Sequence, residues 1–218
     1  MMKIDPHIHS SYSKDSQSNP KDILKQAKKV GLDLIGVSDH DTIKGSKIAI
    51  ELSKSIEGID VIPSIEISSN KGHILGFGVE KLIPSDLSPE ETIDKIHDLG
   101  GVAIIPHPYS IYRNGLLTKI DYKSIKFDGI EVLNARFILG FSNMKSKRLS
   151  YRNNIPEFGS SDSHFLDSIG DCYTEVDADC IDDVFAAIKK NKTKAFGKRT
   201  SNYLIAKEAF NKKIRRKY

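Results

Sequence analysis

The feature that most constrains this chain is a regular alternation of short apolar runs with amphipathic stretches along its 218 residues. Residues 2–8, 32–38, 61–67, 72–79, 102–105, 128–134 and 173–176 read as strands, and residues 156–161 lead into Ser161-Asp162-Ser163-His164. Helical patterns fall between them. Asn19-Pro20 precedes Ile23, Leu24, Ala27 and Val30, and Gly31 closes that stretch. Ser88-Pro89-Glu90-Glu91 supplies an N-cap, a proline at the first helical position and a capping box. Further helices are expected over residues 43–56, 142–153 (polar and basic), 181–190 and 203–215. Residues 72–79 are expected to pair with 61–67 across a turn at Asn70-Lys71-Gly72. The alternation predicts a parallel α/β architecture, whose active sites lie at the carboxyl ends of the strands. No repeat or linker divides the sequence, so residues 1–218 are expected to be one domain.

Composition narrows the setting. No apolar run reaches the roughly 18–20 residues that span a bilayer. The N-terminus has no secretory pattern, so a cytoplasmic location and no membrane partner are expected. Cys172 and Cys180 make no disulfide framework and are read as reduced packing residues. The net charge of +4 conceals an asymmetry. Residues 189–218 hold twelve Lys and Arg against one acid, Glu208, which leaves the remaining 188 residues at −7. The acidic body suits a protein that gathers cations, and the basic segment at about 200–218 is read as a helix with a solvated tail.

Chemistry-bearing residues recur where the apolar runs end. His7 and His9 stand two apart, so a strand presents both on one face. Asp15, His40, Glu66, His73, His107, Asp162 and His164 follow, each near or just past a strand end. Six of the seven histidines fall in such places, and only His97 sits within a helix, where it is read as structural. Mixed imidazole and carboxylate donors suit Zn, Mn or Fe ions better than Ca²⁺ or Mg²⁺. Nine candidate ligands exceed the needs of one ion and can serve two or three, with Glu66 best placed to bridge. Such clusters acidify a water and neutralise phosphate oxygens, which points to phosphoester hydrolysis. Arg136, two residues past Asn134, is the first choice for a phosphate clamp and Arg113 the second. Asp39 and Asp41 are read as orienting His40 or capping the next helix.

The segments DPHIHSSYSKDS, GLDLIGVSDHDTIKG, IPSIEIS, GHILGFGV, GGVAIIPHP, DGIEVLNAR and GSSDSHFLDSIG together resemble the polymerase and histidinol phosphatase (PHP) family. The resemblance implies a distorted (β/α)₇ barrel, TIM-like, with a trinuclear metal centre. By motif, one ion falls to His7, His9, Glu66 and Asp162, a second to Glu66, His73 and His107, and a third to Asp15, His40 and His164. It implies that Glu66, His107, His164 and Arg136 act in catalysis, with His107 or His164 moving a proton. Asn134 is read as lining the site or contacting substrate. The implied substrates are nucleotides, nucleoside 3′,5′-bisphosphates, or RNA or DNA ends. The motifs look most like the bisphosphate and RNA-end branch, without its inserted subdomain, since only a short helical connection joins His73 to His107. The alternatives are a histidinol-phosphatase-like enzyme and a non-catalytic, metal- and nucleic-acid-binding accessory module.

Overall fold

The computed structural model describes residues 1–137 and 140–215, with side chains through Glu208. Part of the basic segment, residues 216–218, therefore lies outside the described residues. Nine strands follow in chain order: β1 (Met2–Ile8), β2 (Leu34–Val37), β3 (Asp60–Ser68), β4 (His73–Phe77), β5 (Val102–Ile105), β6 (Gly129–Asn134), β7 (Glu157–Ser160), β8 (Cys172–Val176) and β9 (Thr193–Gly197). Six helices accompany them: α1 (Pro20–Lys29), α2 (Lys44–Ser53), α3 (Pro89–Asp98), α4 (Phe141–Asn153), α5 (Ile181–Lys189) and α6 (Asn202–Arg215). The sheet runs β7-β6-β5-β4-β3-β2-β1-β8-β9. Its ends approach where Ile8 bridges Ser163 in parallel and Thr174 Oγ1 accepts from Gly159 N, which gives a nearly closed barrel.

The caps form as their residues require. Asn19 accepts from Lys21 N at the start of α1, and Ser88 and Glu91 complete the capping box of α3. Three expectations need correction. The sheet is mixed: besides the β3–β4 hairpin expected from residues 61–67 and 72–79, β4–β5, β1–β8 and β8–β9 pair antiparallel. Residues 193–197, where no strand was expected, form β9 along β8. Cys172 is buried in β8, whereas Cys180 is exposed beside Asp183 rather than packed.

The core explains which side chains enter the barrel. Ile4, Leu34, Ile62, Leu75, Phe77, Val102, Ile104 and Phe158 share one apolar cluster inside, with α5 packed against it. The opposite strand faces carry Ile8, Ile35 and Val37 towards α1, and Ile65, Ile67 and Ile105 towards α3. Along β3, Ile62, Ser64 and Glu66 therefore alternate inward, and His73 follows the parity of Leu75 and Phe77. β1 would break this pattern, because Ile4 and His7 are three apart. A register shift between Asp5 and Ile8 turns His7 and His9 inward and Ile8 outward. A second shift between Glu131 and Leu133 brings both Glu131 and Asn134 inward.

Candidate metal centre

The structure brings all nine sequence-derived ligand candidates to the carboxyl end of the barrel. Four groups place ligand atoms within 4.8 Å of one another: His9, Asp15, His40 and His164; His7, His9 and Glu66; His7, His107 and Asp162; and His40, Glu66 and His73. Glu66 stands between them. Its Oε1 lies 2.9 Å from His73 Nδ1 and 3.0 Å from His107 Nε2. Its Oε2 faces His7 Nε2 and His9 Nε2, each at 3.3 Å, and His40 Nδ1 at 3.1 Å. Asp162 Oδ1 lies 3.6 Å from His9 Nε2 and 3.8 Å from His7 Nε2. Asp15 Oδ2 lies 2.7 Å from His164 Nε2 and 3.7 Å from His40 Nε2. His97 stands apart, paired with Asp128 at 2.7 Å.

These donors fit divalent ions. Glu66 Oε2 and the Nδ1 atoms of His9, His73 and His107 are buried without an aligned hydrogen-bond partner. Unmatched polar atoms in a protein interior are costly, and two of them, Glu66 Oε2 and His73 Nδ1, face the middle of the cluster. His7 Nδ1 donates to Glu131 at 2.7 Å, which leaves its Nε2 lone pair directed at His9 Nε2, 3.0 Å away. Two facing imidazole nitrogens are what a shared cation reconciles. His107 (φ 30°) and Asp162 (φ 49°) hold left-handed backbone, a strain concentrated at functional sites.

Burial opposes charge throughout the cluster, and neighbouring charges decide the outcome. Burial disfavours the Glu66 carboxylate, but His40, His73 and His7 outweigh it and hold the group well below the carboxylate range. Asp162 is held down in the same way, against burial, by His7 and Arg113. His40 resists charging through burial, yet Glu66 and Asp15 raise it to about 9. Burial, His9 and Arg136 lower His164 to about 3, so its ring is neutral.

Sequence reasoning missed Glu131. This fully buried carboxylate accepts from His7 Nδ1, from His107 N at 2.7 Å, from Asn134 Nδ2 at 2.8 Å and from Ser160 Oγ. It fixes the tautomer and aim of His7. Its signal was an acid inside an otherwise apolar strand run, DGIEVLN.

Other assignments change. Asp39 accepts from Ser10 N and Oγ, and Asp41 from Ser68 N and Oγ, so they brace loops rather than orient His40 or cap α2, whose N-cap is Ile43. Asn134 is buried and its amide is spent: it donates to Glu131 and Asp162 and accepts from Arg113 and Arg136 N. Its amide thereby holds Glu131, Asp162 and Arg113 in place. β6 ends at Asn134, so Arg136 reaches the site from a turn. Its Nη1 meets His164 at 2.8 Å and its Nη2 meets Glu208 at 3.3 Å. Arg113 pairs with Asp162, lies over the Phe137 ring, and keeps one buried guanidinium nitrogen, Nη2, without a partner. A cavity of about 520 Å³ opens beside Asp15 and His164, walled by Lys14, Phe165, Leu204 and Lys207.

Known proteins agree with this architecture. Residues 5–128 match the PHP domain family, and residues 140–193 match the PHP-associated family. An uncharacterized protein of Methanocaldococcus jannaschii is 42% identical over 144 residues, which are 62% of this chain and 82% of the relative. A phosphoribosyl 1,2-cyclic phosphate 1,2-diphosphodiesterase of Eggerthella lenta is 36% identical over 87 residues, 37% of this chain and 32% of that enzyme. The fold matches a two-domain Bacteroides vulgatus protein containing a predicted PHP-like metal-dependent phosphoesterase, with a TM-score of 0.74 at 19% identity. That match covers 90% of this chain and 65% of the other. Among the described residues no helix is long and apolar enough to cross a membrane. The chain belongs to the PHP domain family.

Proposed function

We propose that this protein is a metal-dependent phosphoesterase that hydrolyses a phosphomonoester on a nucleotide, a nucleoside bisphosphate or an oligonucleotide end, at a trinuclear site. The observation that carries this reading is Glu66, one oxygen facing two histidines and the other facing three. His7, His9, Glu66 and Asp162 would hold one ion, Glu66, His73 and His107 a second, and Asp15, His40 and His164 a third. Mn, Zn or Fe ions suit this donor set. Held there, they supply an acidified water and neutralise phosphate oxygens.

The chain's own residues do the rest. Glu66 would contribute to more than one ion, because its two oxygens face different histidines. Glu131 keeps the His7 ring turned so that Nε2 faces the centre. Arg113 is the better phosphate ligand, because its buried Nη2 lacks an acceptor and a phosphate oxygen supplies one. Arg136 adds positive charge beside His164. His164 lines the cavity whereas His107 does not, so of the two it stands nearer to an entering substrate. The name of the Eggerthella lenta relative supports a phosphorylated ribose compound as the substrate class.

A screen with Mn²⁺ against adenosine 3′,5′-bisphosphate, histidinol phosphate and 5′-phosphorylated oligoribonucleotides tests the reading. Phosphate release from the nucleotide substrates is expected. Absence of turnover on every ester by protein proven to be metal-loaded contradicts it, and preference for histidinol phosphate reassigns the substrate.

A further inference from the structure

Helix α4 carries a second concentration of charge, which the metal centre does not use. Its 13 residues include Lys145, Lys147, Arg148 and Arg152 and no acid. None of the ion pairs formed by the described lysines and arginines falls on this helix. Lys145, Arg148 and Arg152 stand at i, i+3 and i+7, so they share one face over about 10 Å. They line a groove of about 350 Å³ together with Tyr109, Tyr122 and Leu149, and no carboxylate lines it. The Lys145 ammonium sits 3.9 Å from the centre of the Tyr109 ring.

Hydrogen bonds tie the walls of the groove to the framework of the metal centre. Tyr109 lies two residues past His107, and Ser142 Oγ at the head of α4 donates to its carbonyl. Asn143 pairs through its side chain with the backbone of Asn134, which ties the same helix end to the strand that carries Glu131. The loop after His107 and the first residue of α4 expose apolar side chains: Tyr112 is 97% exposed, Ile111 80% and Phe141 70%. Exposed aromatic and apolar groups beside unpaired cations are an unusual way to face water alone.

We infer that the α4 groove binds the backbone of a single-stranded nucleic acid whose phosphorylated end enters the metal centre. The inference rests on the proposed phosphoesterase reading for the direction of the strand. Cations spaced one helical turn apart meet successive phosphates, and an exposed ring such as Tyr112 accepts an unpaired base. A single strand fits better than a duplex, since stacking on such a ring requires bases free of partners. The concave, tyrosine-lined form of the groove favours a strand over a flat anionic lipid surface.

The test is fluorescence anisotropy of a short, labelled, 5′-phosphorylated oligoribonucleotide with the full chain loaded with Mn²⁺. The triple variant Lys145→Ala, Arg148→Ala, Arg152→Ala is expected to bind at least about tenfold more weakly. The slope of log affinity against log salt should become shallower by about 2, the share of three phosphate contacts on a single strand. Hydrolysis of p-nitrophenyl phosphate by that variant should stay within about twofold of the parent, because the substitutions are remote from the ligands. Arg148→Glu, a single exposed change, should weaken binding on its own.

Unchanged affinity in both variants overturns the inference. So does loss of binding only when Lys212, Lys213 and Arg215 are neutralised instead, or a preference for phosphatidylserine vesicles over the oligonucleotide. If the parent protein hydrolyses no ester, the phosphoesterase reading fails separately, and the anisotropy still decides whether the groove binds RNA.

Discussion

The barrel mouth and the outer face of α4 are both rich in charge, and they handle it in opposite ways. At the mouth, Glu66, Asp162 and Asp15 each lie within 4 Å of a basic side chain, and Glu66 and Asp162 are almost fully buried. On α4 the cations are exposed and have no carboxylate partner. A buried cluster of facing imidazole and carboxylate donors suits a small cation. An exposed, unpaired row lacks an extended anion. The first should respond to metal and pH and little to salt, and the second should respond to salt.

Breaking the paired region should have the largest effects. Glu66→Gln removes the carboxylate shared by five histidines, and turnover should fall by more than about 100-fold, exceeding the loss of an orienting group alone. Steady-state phosphate release at saturating Mn²⁺ measures it. Glu131→Gln leaves every ligand in place but weakens the acceptor that aims His7, so metal affinity should drop by about 10–100-fold. Competition with a chelating dye reads that loss. If Glu131 only packed the core, affinity would be unchanged and only the melting temperature would shift.

Protons give a third handle. In the ion-free protein His40 is raised to about 9, so below that pH it is protonated and must release its proton to bind a metal. Metal affinity should therefore rise with pH, by about tenfold per unit for one displaced proton, and level off above about pH 9. Calorimetry in two buffers of different ionisation heat counts the protons released. A flat affinity between pH 7 and 9, with no proton release, would place His40 outside the ligand set. Arg113→Ala should weaken substrate binding by about tenfold, more than Arg136→Ala, because only Arg113 keeps a free buried donor for a phosphate oxygen. The smallest effect is expected at Lys147, which lies on α4 but outside its groove. Lys147→Ala should alter oligonucleotide affinity by less than about twofold, and a larger effect would spread the binding face around the helix.

The contrast between β3 and β1 explains how much was legible in the sequence. Ile62, Ser64 and Glu66 alternate without interruption, so period-two reasoning aims Glu66 correctly. Helix caps at Asn19 and Ser88 were equally readable, because capping is a local exchange of hydrogen bonds. His7 enters the barrel only through the register shift after Asp5, and Glu131 and Asn134 share a face only through the shift near Leu133. Those shifts depend on the neighbouring strand, so no residue pattern announces them. β9 went unread because Lys192, Lys194 and Lys198 mask a short alternation, and its pairing with β8 is a tertiary contact. The β3–β4 hairpin was readable from its turn, whereas the antiparallel pairings of β1 with β8, β4 with β5 and β8 with β9 arise from where the sheet brings separate segments together. The roles of Asn134 and Arg113 became visible only with their partners, since an amide spent on four neighbours and a guanidinium with a spare donor look alike in a sequence.

The central claim is that Glu66 joins a cluster of divalent ions. Elemental analysis of Mn²⁺-loaded, desalted parent protein and of Glu66→Gln, both verified as folded, tests it most directly. The account predicts a multinuclear complement in the parent, trinuclear if every group is filled, and loss of most of it in the variant. Equal metal content in the two proteins, or none in the parent after loading at pH 8, would contradict it.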